Sequence, residues 1–157
     1  MSVNLLETAT FRDVVEATPL VSIDLVVRHP TGKVLLGLRN NRPAKGFWFV
    51  PGGRIHKSET LDSAFLRLTK VELGTPVERS ECGLLGVFEH MYVDSVFGEN
   101  PKTHYVVLAY CLPMFEIKNE LLPLTQHSHF KWWSIEKVAK SNQVHLYTKK
   151  YMEYLSI

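Results

Sequence analysis

The sequence predicts a single domain of the α/β class. Apolar, β-branched segments alternate with segments whose apolar residues recur at helical spacing. The chain has 157 residues and is 45% hydrophobic, which is enough for one full core and gives no reason to divide it into two domains. No internal repeat or low-complexity stretch interrupts the order of elements.

Each element follows from a local pattern. Strands are predicted where β-branched and apolar residues lie between glycine, proline or polar turns, and helices where the apolar spacing is three to four residues. In chain order, the prediction is helix 11–17, strands 20–28 and 33–39, a short strand 47–50 running into a glycine turn, helix 60–73, strands 84–92, 105–112 and 130–133, and helices 135–140 and 146–155. The loop 94–102 is a candidate mobile lid or an ordinary surface loop.

The helix that ends before Gly74 carries an acid on its apolar face. Leu61, Phe65 and Leu68 recur at helical spacing, and Glu72 continues the same stripe. Glu72 also lies in the last turn, where the helix dipole disfavours a negative charge. An ionised carboxylate in this position needs a cation nearby. It either reaches solvent at a frayed helix end, pairs with a basic residue of the same helix, or contributes to a cation-binding site.

Positive charge is concentrated in one segment. Residues 28 to 57 include seven Lys or Arg and no Asp or Glu, although the net charge of the whole chain is only +2. Such a local positive charge suits a small polyanion better than a nucleic-acid backbone. The segment contains Pro51-Gly52-Gly53, where missing side chains let backbone groups approach a ligand closely. A solvated basic face is the other interpretation, and phosphate binding is favoured over it.

Together these residues resemble the signature of Nudix hydrolases, in which a glycine, a glutamate, an arginine and several paired glutamates follow at fixed spacing. The residues in register are Gly53, Glu59, Arg67, Glu72 and Gly74, while Leu68 and Val71 stand where the signature has acids. The resemblance implies a Nudix fold of the α+β type, with a mixed β-sheet between helices. It also implies one domain over residues 1–157, with an N-terminal arm and helix at 1–18 and the signature at 52–75.

A closer resemblance covers nearly the whole chain and is to the GDP-mannose mannosyl hydrolases of this superfamily. The segments that carry it are Thr18-Pro19-Leu20-Val21-Ser22, Asn41-Arg42-Pro43-Ala44, Trp48-Phe49-Val50-Pro51-Gly52-Gly53-Arg54, Arg67-Leu68-Thr69, Thr103-His104-Tyr105-Val106-Val107-Leu108 and Gln126-His127. It implies hydrolysis of GDP-mannose, or of GDP-glucose, to GDP and the free sugar. Water attacks the anomeric carbon, and the configuration is inverted.

The resemblance also implies a metal and a set of site residues. One Mg²⁺ per subunit, replaceable by Mn²⁺, would be held by the Gly52 carbonyl, the Glu72 carboxylate and the Gln126 amide. His127 would be the general base, with Arg39 and Arg54 stabilising the leaving group and Asp24 organising the site. The residues expected to contact substrate are Leu5, Leu6, Phe11, Arg39, His90 and Tyr105.

The sequence also leads to expectations about the binding partners of the protein and its location in the cell. A GDP-sugar substrate and a homodimer are implied by the resemblance, and neither nucleic acid nor membrane is expected as a partner. No apolar run approaches the roughly 20 residues that span a bilayer, and the N-terminus has no signal pattern, so a cytoplasmic location is expected. Two alternatives stay open: a Nudix pyrophosphatase that attacks phosphorus, and a non-catalytic module that binds nucleotide sugars.

Overall fold

The computed structural model describes residues 5–113, 122 and 127–155, and only the backbone of residues 127 and 128. The helices are α1 (Thr8–Ala17), α2 (Leu61–Leu73), α3 (Ile135–Lys140) and α4 (Leu146–Leu155). The strands are β1 (Leu20–Val27), β2 (Val34–Arg39), β3 (Trp48–Phe49), β4 (Gly52–Arg54), β5 (Gly83–Tyr92), β6 (Thr103–Leu112) and β7 (His127–Trp133), with a 3₁₀ turn at Arg79–Glu81.

The strands of the described residues divide between two sheets. The first has the order β4-β1-β6-β5, in which β1 and β6 are parallel and the other two pairs are antiparallel. The second is antiparallel with the order β3-β2-β7. Sheets and helices combine into one mixed fold, which confirms the predicted fold class.

Strand β1 lies between two hydrophobic clusters because its alternate side chains point to opposite faces of the sheet. Ile23 and Leu25 belong to a cluster that includes Phe65 of α2. Val26 belongs to a second cluster that includes Tyr151 of α4. Helices therefore pack on both sides of this strand, α2 on one side and α4 on the other. That division also determines where the polar residues of β1 lie.

Helix α2 has well-defined ends. The Thr60 hydroxyl accepts a hydrogen bond from the Ser63 amide at 3.1 Å, and Gly74 ends the helix with a φ of 74°, a left-handed conformation that favours glycine. Arg67 links the helix to β4, since its guanidinium donates to both oxygens of Glu59 at 2.7 and 2.9 Å and to the Arg54 carbonyl at 2.9 Å. Across the described chain, we find no helix with both the length and the apolar character that crossing a bilayer requires.

The predicted glycine turn is a strand. Residues of β4 pair with β1 in antiparallel register, with Gly52 opposite Asp24 and Gly53 opposite Ile23. A β-carbon on Gly52 would lie 2.5 Å from the Ile23 carbonyl oxygen and 2.6 Å from Asp24 Oδ1. Local propensity disfavours Gly-Gly in a strand, but tertiary packing leaves no room here for a side chain.

We predict that Gly52→Ala destabilises the protein by about 1–3 kcal/mol, because the added methyl group must displace the backbone of β1 or β4. Gly83→Ala is the matched control: it also lies in a strand, and its β-carbon would meet nothing within 4 Å. Urea unfolding of both variants measures the difference. Equal stability of the two variants would contradict the packing argument.

Candidate functional site

Two adjoining clefts hold most of the predicted site residues. The inner cavity, of about 70 Å³, is lined by Ser22, Asp24, Arg39, Pro43, Ala44, Phe49, Gly53, Arg54, His90, Tyr92 and Tyr105. The outer cleft, of about 590 Å³, is lined by residues that include Leu5, Phe11, Arg39, Arg54, His56, Arg67, Leu68, Val71, Glu72 and Tyr105. Five residues line both and form the boundary between them: Arg39, Pro43, Gly53, Arg54 and Tyr105.

Glu72 lies in the outer cleft and is buried, with 4% of its surface exposed. This burial rules out the interpretation that it reaches solvent at a frayed helix end. Burial raises the pKa of Glu72 to about 7, against the opposing effects of the Arg39 and Arg67 charges. No carboxylate oxygen of Glu72 has a hydrogen bond or close ion pair with any described residue. The carboxylate is thus buried at a high cost and faces a cleft.

Asp24 lies with Arg39 on the inner cavity, whereas Glu72 lies with Arg39 on the outer cleft. Asp24 is 7% exposed, lines the inner cavity, and accepts a hydrogen bond at Oδ2 from the Tyr151 hydroxyl at 2.6 Å. Burial raises the pKa of Asp24 to about 7, although the Tyr151 hydrogen bond and the Arg39 charge both act to lower it. His90 lies beside them, and burial together with the nearby His145 lowers the pKa of His90 to about 4. His90 is therefore neutral at physiological pH.

Arg54 is held in place by an aromatic ring. Its guanidinium carbon lies 4.6 Å from the centre of the Phe11 ring of α1, within the range of a cation–π interaction. Burial lowers the pKa of Arg54, and the nearby Tyr105 acts in the opposite sense. Burial also raises the pKa of Tyr105, so its phenol keeps its proton and can donate a hydrogen bond. Phe11, expected to contact substrate, contacts an arginine of the site.

The Gly52 carbonyl is free of the β1–β4 ladder. Leu25 donates to the Pro51 carbonyl and Ile55 donates to the Val21 carbonyl, both at 2.8 Å. Hydrogen-bonded pairs alternate with non-bonded pairs along an antiparallel ladder, so the Gly52–Asp24 pair is a non-bonded one. The Gly52 carbonyl therefore points away from β1, on the outer edge of the strand. A backbone oxygen in this position can serve a ligand or a metal.

The backbone of His127 lies next to Arg39. The two residues are partners in the β2–β7 ladder, where the register shifts between Gly37 and Arg39. The His127 side chain and the whole of Gln126 lie outside the described residues, so their predicted roles remain predictions. Directly opposed residues in a ladder have adjacent α-carbons, which brings the backbone of His127 to the cleft that Arg39 lines.

Two predicted substrate contacts differ in position. Leu5 lines the outer cleft, whereas Leu6 lines neither the outer cleft nor the inner cavity. Of the seven basic residues between 28 and 57, three line the outer cleft: Arg39, Arg42 and Arg54. The positive segment therefore contributes only part of its charge to the site, and the remainder lies elsewhere on the protein.

The loop 94–102 forms part of the outer cleft wall. Ser95 and Val96 line the cleft, and the Asp94 carboxylate lies 3.6 Å from the Arg42 guanidinium nitrogen Nε. The Phe97 ring packs against Phe11 with ring centres 5.7 Å apart. The loop thus contacts both the basic segment and the N-terminal helix.

Comparison with known proteins identifies the family. The model of the NUDIX domain matches residues 18–155, which is most of the chain. The chain belongs to the Nudix family. The family is one of hydrolases, so this membership supports a hydrolase, and Nudix hydrolases generally use a divalent metal such as Mg²⁺.

Relatives of this Nudix protein include the low-salt glycan biosynthesis protein Agl8 of Haloferax volcanii, which is 39% identical over 90% of this chain and 85% of its own length. The ADP-ribose pyrophosphatase of Methanocaldococcus jannaschii is 33% identical over 60% of this chain and 50% of its own length. The MutT NUDIX hydrolase structure from Burkholderia pseudomallei superposes with a TM-score of 0.70 at 24% identity, covering 88% of this chain and 98% of that one. This structural similarity shows the fold alone.

Sequence reasoning missed part of the site of this Nudix protein. Tyr151 reaches Asp24 from α4, and Tyr92 lines the inner cavity beside His90. Tyr151 is a buried residue of an amphipathic helix, which by periodicity is an ordinary core residue. No local signal indicates its hydrogen bond, because its partner is 127 residues away in the chain.

Because the Glu72 carboxylate is buried, we predict that the stability difference between the wild type and Glu72→Gln depends on pH. The pKa of Glu72 is raised in the folded state, so folding stability present at low pH is lost as pH rises from about 4.5 to about 7. Glu72→Gln removes this titration. We therefore expect the variant to melt at a higher temperature than the wild type at pH 8 in the presence of a chelator, with a smaller difference at pH 5. If Glu72→Gln raised the melting temperature equally at both pH values, burial of the charge would not be the cause.

Proposed function

We propose that this Nudix hydrolase uses Mg²⁺ to hydrolyse GDP-mannose to GDP and free mannose, by attack of water at the anomeric carbon with inversion. GDP-glucose is a second candidate substrate. The proposal concerns which bond of the nucleotide sugar breaks. An ordinary Nudix site activates water against phosphorus with several metal ions held by paired acids, as the resemblance implies.

The observation that carries the proposal is the acid content of the outer cleft. Leu68 and Val71 occupy positions where the Nudix signature has acids, and both line this cleft. Glu72 is the signature acid that remains beside them, since Glu59 is engaged by Arg67. Among the described residues, no group of three His, Cys, Asp or Glu side chains is arranged to hold a metal. The apolar side chains of Leu68 and Val71, in place of two acids, favour a site with one metal ion over a multi-metal one.

The described residues fit a single Mg²⁺. The Glu72 carboxylate is buried at the cleft without a close cation partner among them, and the Gly52 carbonyl points away from its ladder. Both are hard oxygen ligands of the kind that Mg²⁺ prefers, and Gln126 would supply a third. Bound there, Mg²⁺ would neutralise charge on the pyrophosphate and favour departure of GDP.

Arg39 and Arg54 would stabilise the same leaving group. When the bond between the anomeric carbon and oxygen breaks, GDP leaves with an additional negative charge. Both arginines line the inner cavity and the outer cleft, so their charge lies where the two ends of the substrate would meet. Interactions that strengthen as this charge develops lower the barrier. Tyr105, which keeps its proton, can donate a hydrogen bond beside them.

His127 would take the proton from the attacking water, because an imidazole with an ordinary pKa near 6.5 acts as a base at neutral pH. Its backbone position opposite Arg39 supports this role. Asp24 and His90 line the inner cavity, where they would accept or donate hydrogen bonds to sugar hydroxyls. Inversion follows when water attacks the face opposite the leaving group.

Further parts of the proposal rest on the family resemblance and on one relative. Agl8 of Haloferax volcanii is named for glycan biosynthesis, and glycan synthesis consumes activated sugars such as GDP-mannose. We also propose that residues 1–157 form one Nudix domain, that the protein acts as a cytoplasmic homodimer, and that Leu5 in the N-terminal arm contacts the nucleotide from the outer cleft.

We predict that Glu72→Gln weakens Mg²⁺-dependent binding of GDP by about 100-fold or more, because it removes the one charged ligand proposed for the metal. Glu59→Gln is the matched control, since it changes a glutamate of the same signature that hydrogen-bonds to Arg67. Calorimetry with GDP, with and without Mg²⁺, measures both variants. Equal losses in the two variants would remove the reason to treat Glu72 as the ligand.

The bond that breaks is tested by hydrolysis of GDP-mannose in ¹⁸O-labelled water with Mg²⁺. We expect the label in mannose, release of GDP rather than GMP, and initial formation of the β-anomer from the α-linked substrate. Mass spectrometry locates the label, and proton NMR identifies the anomer. Label in a phosphate would identify a pyrophosphatase, and binding without turnover would identify a non-catalytic module.

A further inference from the structure

We propose that Tyr151 of α4 is a positioning residue for this reaction: it occupies one carboxylate oxygen of Asp24 and so directs the other oxygen toward the bound sugar. The inference rests on the proposed function in that it assigns the sugar to the inner cavity. Tyr151 is not among the described residues that line that cavity, so it acts through Asp24 and not by direct contact.

The two partners of the Tyr151 hydroxyl determine which of its hydrogen bonds it donates and which it accepts. Its hydroxyl lies 2.6 Å from Asp24 Oδ2 and 3.2 Å from His90 Nε2. A phenol has one proton, and the ionised Asp24 carboxylate can only accept, so in that state Tyr151 donates to Asp24 and accepts from His90. His90 must then carry its proton on Nε2. The low pKa of His90 keeps it neutral at physiological pH, so its ring has a single proton to donate.

The ring of Tyr151 cannot move away from this arrangement. The residue is fully buried within the cluster on the α4 side of β1. Its ring packs edge-on against Phe88 with ring centres 4.9 Å apart. A hydrogen bond from a fixed hydroxyl to a buried carboxylate is short and strong, and it restricts the rotation of the carboxylate.

Because Tyr151 fixes Oδ2 of Asp24, the other carboxylate oxygen, Oδ1, is the one that can bind a ligand. Among the described residues, Tyr151 is the only hydrogen-bond donor to the Asp24 side chain, and it uses Oδ2. Oδ1 lies against Gly52, 2.6 Å from where a β-carbon would be, on the residue proposed to bind the metal. Asp24 lines the inner cavity and Tyr151 uses Oδ2, so Oδ1 is the oxygen that this hydrogen bond leaves available to a sugar hydroxyl. Hydrogen bonds to sugar hydroxyls strengthen in the transition state of glycoside cleavage, so the effect falls on kcat.

Tyr151→Phe tests the role because it keeps the ring and removes the hydroxyl. We expect kcat for GDP-mannose to fall about tenfold while KM changes by less than about threefold, the effect of one lost hydrogen bond made in the transition state. Tyr110→Phe is the control: it removes the hydroxyl of another buried tyrosine, whose partner is Arg79 on the α2 side. This control should lose stability without a change in kcat. Unchanged kcat in Tyr151→Phe would overturn the proposal.

A double-mutant cycle separates positioning from a structural effect. If Tyr151 acts through Asp24, adding Tyr151→Phe to Asp24→Ala should lower kcat by less than about twofold further. A further tenfold loss in the double variant would show that Tyr151 acts independently of Asp24, and would overturn the proposal.

A second readout does not depend on turnover. The wild type, Tyr151→Phe, Asp24→Ala and the double variant are each unfolded in urea. The losses of stability from the two single substitutions should not add, because both remove one shared hydrogen bond. Additive losses would overturn the inference whether or not the enzyme is active. If the wild type hydrolyses no nucleotide sugar, the proposed function fails, and this cycle still decides whether Tyr151 holds Asp24.

Discussion

The site depends on one constraint, the placement of the Arg39 cation between two buried carboxylates. Asp24 lies on the inner side and Glu72 on the outer side, and the charge of Arg39 lowers the pKa of each against the larger effect of burial. Strand β2 ends at Arg39 with a register shift, and the backbone of Arg39 bonds to Phe47 and Gly46 at 3.0 Å. Irregular pairing of this kind re-aims a side chain. The two clefts thus share one cation, because Arg39 lines both.

Much of the fold and part of the site could be predicted from the sequence, for physical reasons. The strands have strong β-branched patterns, and the helices have clear apolar spacing and end signals such as Thr60 and Gly74. The sequence indicates a special role for Glu72 because a carboxylate on the apolar stripe of a helix is costly in free energy, and the structure shows that it is buried. These features are local, so the sequence around each residue contains the information.

What the sequence could not predict depends on contacts between distant segments. Local propensity predicts a turn at Gly52 and Gly53, because glycine disfavours strands. The structure has strand β4 there, since β1 and Leu68 of α2 lie too close to these residues for any side chain to fit. The position of Phe11 under Arg54 depends on how α1 packs. Leu6 lines neither cleft, and its contact with substrate stays a prediction, because sequence position alone does not tell which residue of an arm faces a cleft.

The hydrogen bond between β1 and α4 affects how the site forms during biosynthesis. Tyr151 follows Asp24 by 127 residues, so a growing chain holds an acid that becomes buried well before its hydroxyl partner is made. The site is complete only after α4 docks on the sheet. A ligand that binds only this completed arrangement would hold β1 and α4 together and protect the fold against unfolding and proteolysis. Quality control of the protein and recognition of its ligand would then depend on the same event.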